Sequence, residues 1–318
     1  MRKLLGVTIA LLLLSELLLS QQLPLFTQYR EQAVTINPAV IQTSYLLNSH
    51  QLNVGAGYRN QWINLENPAS TAIIRGDYLY VTGGATNLVF GGHLMRDQTG
   101  PISNTGIFGK IAGLFSSDPE FVGISVGLSA GFVQYRVNPD KIRLHDAGDL
   151  IPQNNVSKYY PDVSVGVFGY KRLDGGGYFD DDLVYGGLSI PQTIGSTLKL
   201  DSDNGTLYTK RVQHFYGNLG MIKKVGEEGF LEPSAWLRYA INTPFSADFN
   251  LKYQMSQSFW IGIGASTAGN THFETGVILG EKMGLDANVR FGYGFDYSFN
   301  TFGPFVGGTH EISITFSR

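Results

Sequence analysis

The chain has 318 residues and a formal net charge of −3, with charged residues at only 15% and aromatic residues at 13%. A negative net charge with scattered Lys and Arg excludes a nucleic-acid-binding protein that relies on a basic surface. The ample apolar and aromatic content excludes a disordered chain. The absence of cysteine excludes zinc sites with thiolate ligands and an acylated lipoprotein.

The first 20 residues have the pattern of a secretory signal peptide. A basic n-region precedes an apolar stretch over 4–14, and the chain turns polar at Gln21. The apolar stretch is short and Glu16 interrupts it, which disfavours the alternative, a permanent membrane anchor. We therefore predict residues 1–20 to be a signal peptide that is cleaved on export.

Apolar residues alternate with polar or small ones over most of the remaining chain, which is the period of strands buried on one face. In the segment 285–295, for example, Val289 and Phe291 share one face, and Arg290 lies on the other. The predicted strands are 50–60, 70–81, 86–96, 102–115, 120–137, 161–173, 182–191, 206–224, 229–242, 245–255, 258–267, 271–280, 283–299 and 308–317. Most contain about 9–11 residues, which is the length that a tilted strand needs to cross a bilayer. Residues 50–318 are therefore predicted to form an all-β, transmembrane, antiparallel up-and-down β-barrel of about 14 strands.

The lengths of the predicted connections suggest how this barrel is oriented. The two longest, 138–160 and 191–205, lie at one end, and bacterial barrels carry long loops outside and short turns in the periplasm. Both termini are therefore predicted to be periplasmic. Residues 21–49 belong to no predicted strand and are predicted to form a periplasmic or plug-like N-terminal segment.

Charged residues fall on the strand face that is predicted to line the lumen. Opposite charges there would neutralise each other and leave a partly filled interior rather than a wide pore. The predicted lumen set is Arg59, Arg75, Asp77, Arg238, Lys252, Glu274, Asp286, Arg290 and Asp296.

A soluble all-β protein also alternates, with its apolar face pointing inward, so the period alone leaves this alternative open. The signal peptide, the number of consecutive hairpins and the aromatic residues near strand ends favour the membrane. The predicted interfacial aromatic residues are Trp62, Tyr78, Tyr80, Phe115, Tyr135, Tyr170, Phe259 and Phe299.

No pattern in the sequence predicts catalysis. The six histidines are never three to five residues apart, as helix-borne metal ligands would be. We therefore expect no metal, no cofactor and no small-molecule substrate. An outer-membrane enzyme is the minor alternative, and it would depend on a strand histidine such as His93, His214 or His272.

Three short motifs occur in a fixed order along the chain. Residues 21–29 read Gln-Gln-Leu-Pro-Leu-Phe-Thr-Gln-Tyr and are followed by Asn37-Pro38-Ala39; residues 58–62 read Tyr-Arg-Asn-Gln-Trp; residues 308–312 read Gly-Thr-His-Glu-Ile. Together they resemble the PorP/SprF family of Bacteroidetes outer-membrane proteins, whose mature chains open, continue and close with similar segments.

The resemblance implies an integral outer-membrane component of the type IX secretion system. Such a component would support the secretion or surface attachment of cargo proteins with C-terminal sorting domains, including gliding-motility adhesins. The implied partners are outer-membrane lipid, other type IX components and the cargo. The predicted partner-binding residues are Phe26, Gln28, Tyr29, Asn37, Pro38, Arg59, Gln61, Trp62, His310 and Glu311. The main alternative is a passive channel or a transporter of hydrophobic solutes.

Overall fold

The structure is a computed structural model, which describes residues 24–138, 156–173, 176, 181–195, 197–202, 205–226, 229–255, 258–280, 283–299 and 303–318. The predicted signal peptide and most of the predicted outer loop 138–160 lie outside these ranges. Within the ranges, no helix is long and apolar enough to cross a membrane.

Fourteen antiparallel strands close into one barrel, which confirms the predicted fold class and strand number. The barrel strands are β1 Leu52–Gln61, β2 Ala69–Tyr80, β3 Thr86–Thr99, β4 Ile102–Asp118, β5 Val122–Val137, β6 Val156–Arg172, β7 Leu183–Ile190, β10 His214–Val225, β11 Gly229–Ala240, β12 Ser246–Met255, β13 Phe259–Ser266, β14 Asn270–Leu279, β15 Asn288–Ser298 and β16 Thr309–Ser317. Strand β1 pairs with β16, with Val54 opposite Phe316 and Arg59 opposite Glu311. This pairing leaves no open sheet edge, as a lipid environment demands.

Three short helices and one extra hairpin complete the described structure. The helices are α1 Ala33–Ile36, α2 Thr43–Asn48 and α3 Gly303–Val306, and the hairpin consists of β8 Thr197–Ser202 and β9 Gly205–Lys210. The predicted strand 206–224 was therefore wrong as a single element, because it joined β9 to β10. No glycine or proline marks the break at 211–213, and alternation alone does not show where one strand stops.

The barrel turns its apolar face outward, as strand β5 illustrates. Ile124, Val126 and Leu128 are 62%, 51% and 45% exposed, whereas Ser125 and Ser129 on the other face are buried. A soluble barrel would bury the first set and expose the second. The outward apolar surface is the one that lipid would cover.

Strand parity corrects two of the predicted interfacial aromatic residues. Tyr135 is six residues, an even number, beyond Ser129 on β5 and therefore lies on the same inner face. Tyr170 also lies on the inner face of its strand, and both tyrosines are only 4% exposed. The hydroxyl of Tyr170 donates a hydrogen bond to the carbonyl oxygen of Pro119. Five of the predicted residues are exposed on the outer surface: Tyr78, Tyr80, Phe115, Phe259 and Phe299. Trp62 is partly buried just beyond β1.

The barrel has two distinct ends. At one end, here the loop end, residues 62–68 join β1 to β2, and long stretches of sequence separate β5 from β6 and β7 from β10. At the other, here the turn end, residues 81–85 join β2 to β3 and residues 119–121 join β4 to β5. The C-terminal Arg318 lies at the turn end, where its amide and carbonyl groups pair with Leu52.

Residues 24–50, here the plug, pass through the lumen from the loop end to the turn end. Pro24 lines a cavity at the loop end together with Pro191. At the other extreme, Ser49 donates a hydrogen bond to Glu120 in a turn. Pro24, the first described residue, and Arg318 therefore lie at opposite ends of the barrel. The N-terminus itself lies outside the described residues, so the expectation that both termini are periplasmic stays a prediction. The long connections suggest that the loop end is extracellular.

Single-cysteine labelling should establish this orientation, since the chain has no native cysteine. Leu65 is exposed at the loop end and Glu120 at the turn end. We expect Leu65→Cys to react with a membrane-impermeant maleimide on intact cells, and Glu120→Cys to react only after the outer membrane is permeabilised. The reverse pattern would invert the orientation proposed for the barrel.

Candidate functional site

The plug packs against the lumen wall through apolar residues as well as polar ones. Near the turn end, plug residues Val34, Val40 and Leu46 share one buried cluster with wall residues such as Leu114 and Phe168. A second cluster near the loop end contains Phe26, Tyr29, Ile36, Ile73, Tyr216 and Trp236. Burying these side chains between plug and wall favours the seated plug, at roughly 1.5–3 kcal/mol for each fully buried large residue.

The three sequence motifs meet at one point, where the barrel closes. Arg59 on β1 contacts Asp296 on β15 at 2.5 Å and Glu311 on β16 at 3.3 Å. The backbone N–H groups of Thr27 and Gln28 in the plug donate to the two oxygens of Glu311, at 2.8 and 3.1 Å. We call Thr27, Arg59, Asp296 and Glu311 the latch, because these four residues tie the plug to the closing seam.

The Thr27 hydroxyl completes the latch. It donates to Asp296 at 2.7 Å and accepts from Arg59 at 2.6 Å. Arg59 and Glu311 are 5% and 1% exposed. Charge-assisted hydrogen bonds of this kind are about twice as strong as neutral ones.

A second charged cluster holds Arg30 of the plug against the opposite wall. Arg30 forms ion pairs with Glu274 and, at 3.5 Å, with Glu232. Glu232 also pairs with Lys252 at 2.5 Å. Beside this cluster, the ring of Tyr29 stacks on Trp236 with centroids 5.4 Å apart. Each buried charge therefore has an opposite partner, without which its desolvation would be costly.

Glu31 makes a third contact between plug and wall. Its carboxylate lies 3.1 Å from Arg290 and 3.8 Å from Arg75. Burial raises the pKa of the Glu31 carboxyl, but the cations Arg290, Lys252 and Arg75 outweigh burial and lower it to about 2. Because this pKa is lowered from 4.5, the ionised Glu31 carboxylate stabilises the folded protein above about pH 4.5. This contribution is lost as the carboxylate becomes protonated and the pH falls towards 2.

Glycines on the wall make room for the Asn37-Pro38 motif. A Cβ atom at Gly127 would lie 2.6 Å from Pro38 backbone atoms, and one at Gly166 would overlap the side-chain oxygen of Asn37. The close approach lets the Asn37 amide donate to the carbonyl oxygen of Val167 at 3.0 Å. The wall is therefore shaped to the plug at this position.

Filling this space should loosen the plug. We expect Gly166→Ala to destabilise plug seating by about 1–3 kcal/mol, the usual effect of overpacking. The matched control is Gly113→Ala, because a Cβ there meets only the Phe115 ring at 3.5 Å. Tryptic cleavage after Arg30, followed on gels, measures plug release; equal protection of both variants would contradict the fit described for Gly166.

Seven of the ten predicted partner-binding residues lie inside the barrel. Phe26, Gln28, Tyr29, Asn37, Pro38, Arg59 and Glu311 are buried. Gln61 and Trp62 are partly buried at the loop end. His310 lies on the other face of β16 from Glu311, where its ring nitrogen is 2.8 Å from the Tyr293 hydroxyl. A partner can therefore reach the seven buried residues only if the plug leaves the lumen.

Sequence reasoning missed several residues that hold the plug. Thr27, Arg30 and Glu31 lie within or directly after the first motif, and this position was the only signal that could have found them. Of the predicted lumen set, Asp286 is exposed and precedes β15. The other eight lie on the inner faces of their strands, and the ion pairs described above include six of them: Arg59, Arg75, Lys252, Glu274, Arg290 and Asp296.

Neither a metal site nor a nucleophile elbow is apparent in the part of the chain that the structure describes. No group of three His, Cys, Asp or Glu side chains there suits a metal ion. Two overlapping Gly-x-Ser-x-Gly strings occur at 123–131, but they lie within the continuous strand β5. A nucleophile elbow needs a sharp turn from strand to helix, which β5 does not provide.

Fold and site together define a class: an outer-membrane β-barrel whose lumen is occupied by its own N-terminal segment. The family model described as type IX secretion system membrane protein PorP/SprF matches residues 18–316. The chain belongs to this family, which confirms the resemblance seen in the three motifs. It is thus a membrane component of the type IX secretion system, integral to the outer membrane.

Solved structures with a similar fold are outer-membrane barrels of low sequence identity. The TodX deltaS2S3 mutant monoaromatic hydrocarbon channel is 9% identical, with a TM-score of 0.55 over 90% of this chain and 94% of that one. The Ralstonia pickettii toluene transporter TbuX is 8% identical, with a TM-score of 0.53 over 90% and 93%. The CymD monoaromatic hydrocarbon channel is 10% identical, with a TM-score of 0.51 over 88% and 93%. At these identities the likeness shows the fold alone. No curated protein matches the chain.

Proposed function

We propose that this protein is a non-enzymatic docking barrel of the type IX secretion system. It holds other components of the system, and cargo with C-terminal sorting domains, through the ends of the barrel. Through these contacts it supports secretion or surface attachment, including that of gliding adhesins. Cleavage of residues 1–20 precedes its insertion into the outer membrane.

The observation that carries the proposal is the filled lumen. A protein that works by passing solutes needs a path, whereas here residues 24–50 cross the interior and bind the wall through three charged clusters. With the interior occupied, the surfaces left for a partner are the two ends. At the turn end the plug exposes Ser49 beside Glu120.

The second candidate is a channel for hydrophobic solutes. Its support is the fold shared with the monoaromatic hydrocarbon channels. A small cavity at the loop end, partly lined by aromatic residues, is a further feature that this candidate can use. Transport would require the plug to move or a path around it.

Co-purification from native membranes, followed by mass spectrometry, tests the docking proposal. The intact protein should recover type IX components and cargo. Deletion of residues 21–45 from the mature chain should leave the barrel heat-modifiable on gels but abolish this recovery. Normal recovery with the deleted protein would contradict a role of the plug in docking. If the intact protein recovers no type IX component, the proposed function itself fails.

A further inference from the structure

The outer face of strands β3, β4 and β5 changes from apolar to polar near the loop end. On β5, the outward side chains from Val122 to Phe132 are all apolar. At about 3.4 Å per residue and a strand tilt of about 40°, this stretch is about 26 Å tall, which is close to the apolar band of about 25 Å on outer-membrane barrels. The next outward residues, Gln134 and Arg136, therefore lie at the level of the lipid headgroups.

Two arginines share this level of the outer face. Arg96 is exposed and follows Leu94 on the outward face of β3, and Arg136 is exposed on β5. On β4, between them, Thr105 lies opposite Arg96 and Ser103 lies opposite Arg136. The two arginines are thus two strands apart and offset by two residues, which places their Cα atoms about 12 Å apart. We call Arg96, Ser103, Thr105 and Arg136 the outer patch.

The positive charge of the outer patch is not balanced by the described part of the chain. The Arg96 guanidinium donates to the side-chain oxygen of Gln98 at 3.5 Å, and no described side chain pairs with the guanidinium of Arg136. In the described barrel strands, the acidic residues of the half nearer the loop end, such as Asp97 and Asp162, point into the lumen. An anion from outside the chain is therefore needed to neutralise the two arginines.

The outer patch offers the donors that a phosphate group binds. A guanidinium group can donate two parallel hydrogen bonds to phosphate oxygens. The hydroxyl groups of Ser103 and Thr105 add two further donors between the arginines. Phosphate thus fits the patch both by its charge and by the number of its acceptor oxygens.

An apolar row lies directly beneath the outer patch. It consists of Leu94, Ile107 and Phe132, which are register neighbours on β3, β4 and β5 and are 48%, 60% and 63% exposed. Burial of such side chains against hydrocarbon is favourable. Cationic and hydroxyl groups above an apolar row match the two parts of a lipid, a charged headgroup and its acyl chains.

We propose that the outer patch binds the phosphate-bearing headgroup of a membrane lipid whose acyl chains lie on the apolar row. A lipid accounts for the observations better than a free phosphate ion, because the apolar row continues from the patch. It also does so better than an acidic protein segment, because the patch lies at the level of the headgroups. This site does not depend on the docking function proposed above.

Native mass spectrometry of the purified, full-length protein in detergent tests the proposal. Titration with dioleoyl phosphatidic acid should show saturable binding. Dioleoylglycerol, which has the same acyl chains without the phosphate, and inorganic phosphate, which has no acyl chains, should each bind at least about tenfold more weakly. Combining Arg96→Gln with Arg136→Gln should weaken dioleoyl phosphatidic acid at least about tenfold and leave dioleoylglycerol unchanged.

The control variant removes two exposed positive charges at the turn end, by Lys171→Gln and Lys224→Gln. Lys224 has the carboxylate of Asp181 at 3.9 Å, so these lysines do not form an unbalanced pair, and the control should bind like the unaltered protein. All variants must be heat-modifiable on gels.

Two results on the unaltered protein would overturn the proposal without depending on any variant. Equal binding of dioleoylglycerol would show that the phosphate contributes nothing, and equal binding of inorganic phosphate would show the same of the acyl chains. Unchanged affinity for dioleoyl phosphatidic acid in the double arginine variant would overturn the role of the outer patch. If that variant also lost the recovery of a type IX component from native membranes, the two arginines would serve a protein partner instead of a lipid.

Discussion

Deletion of residues 21–45 is expected to turn a silent barrel into a steadily conducting pore. A barrel of 14 strands is wider than the eight-stranded barrels that side chains alone can fill, and it approaches the 16–18-stranded porins that hold water. With the plug removed, the wall would present charged side chains to the lumen, among them Arg75, Lys110 and Glu274. Water and ions would therefore replace the plug.

Planar bilayers measure this effect directly. The intact protein should give no resolvable conductance steps at moderate voltage, and the deleted protein should give stable open steps at every insertion. The deleted protein must be heat-modifiable on gels, which shows that its barrel is closed. Steady conductance of the intact protein would favour the channel function. Silence of a heat-modifiable deleted protein would mean that other residues fill the lumen.

Alternation along the strands predicted the barrel because it reports directly on which side chains face lipid. In β5, for example, Ile124 marks the face that points outward and Ser125 the face that points into the lumen, and every second residue shares the face of one or the other. The same parity would have placed Tyr135 inside, had it been applied in preference to the general enrichment of aromatic residues at strand ends. The failure at Asp286 has a different cause. Alternation there continues by chance through residues that follow a turn at Gly284, whose φ is +75°.

The path of the plug could not be predicted from the sequence. Thr27 contacts Asp296, which is 269 residues away along the chain, and Arg30 contacts Glu274, 244 residues away. Such contacts depend on the register and closure of the whole barrel, and a local pattern contains neither. The sequence did indicate that residues 21–49 form no strand and that charges line the lumen. Matching plug charges to wall charges required the coordinates.

The latch contributes both to closure of the barrel and to binding of the plug. Arg59 and Glu311 are register partners in the pair of strands that closes the barrel. Glu311 also accepts the two backbone N–H groups at the start of the plug. Seating of the plug and closure of the seam therefore share one carboxylate. Loss of charge balance there should affect both, whereas loss of an exposed ion pair elsewhere should affect neither.

Arg59→Ala is accordingly expected to release the plug. The substitution leaves the buried carboxylate of Glu311 and the partly buried carboxylate of Asp296 without their cation. Breaking a buried pair in this way costs about 3–5 kcal/mol. Since about 1.4 kcal/mol is a factor of ten, tryptic cleavage after Arg30 should become at least about a hundredfold faster. Lys224→Ala is the control, because Lys224 is nearly half exposed and lies 3.9 Å from Asp181; a surface pair of this kind contributes about 0–1 kcal/mol.

A compensating variant separates charge balance from packing. Combining Arg59→Met with Asp296→Asn and Glu311→Gln removes all three charges while keeping side chains of similar size, and the new amide on β16 still offers an oxygen to the plug backbone. Replacing a buried ionic cluster by neutral groups of similar volume is often close to neutral in free energy. The combined variant should therefore recover most of the protection that Arg59→Ala loses. Cleavage as fast as in Arg59→Ala would show that the ionic hydrogen bonds themselves, rather than the avoidance of unpaired buried charge, hold the plug in place.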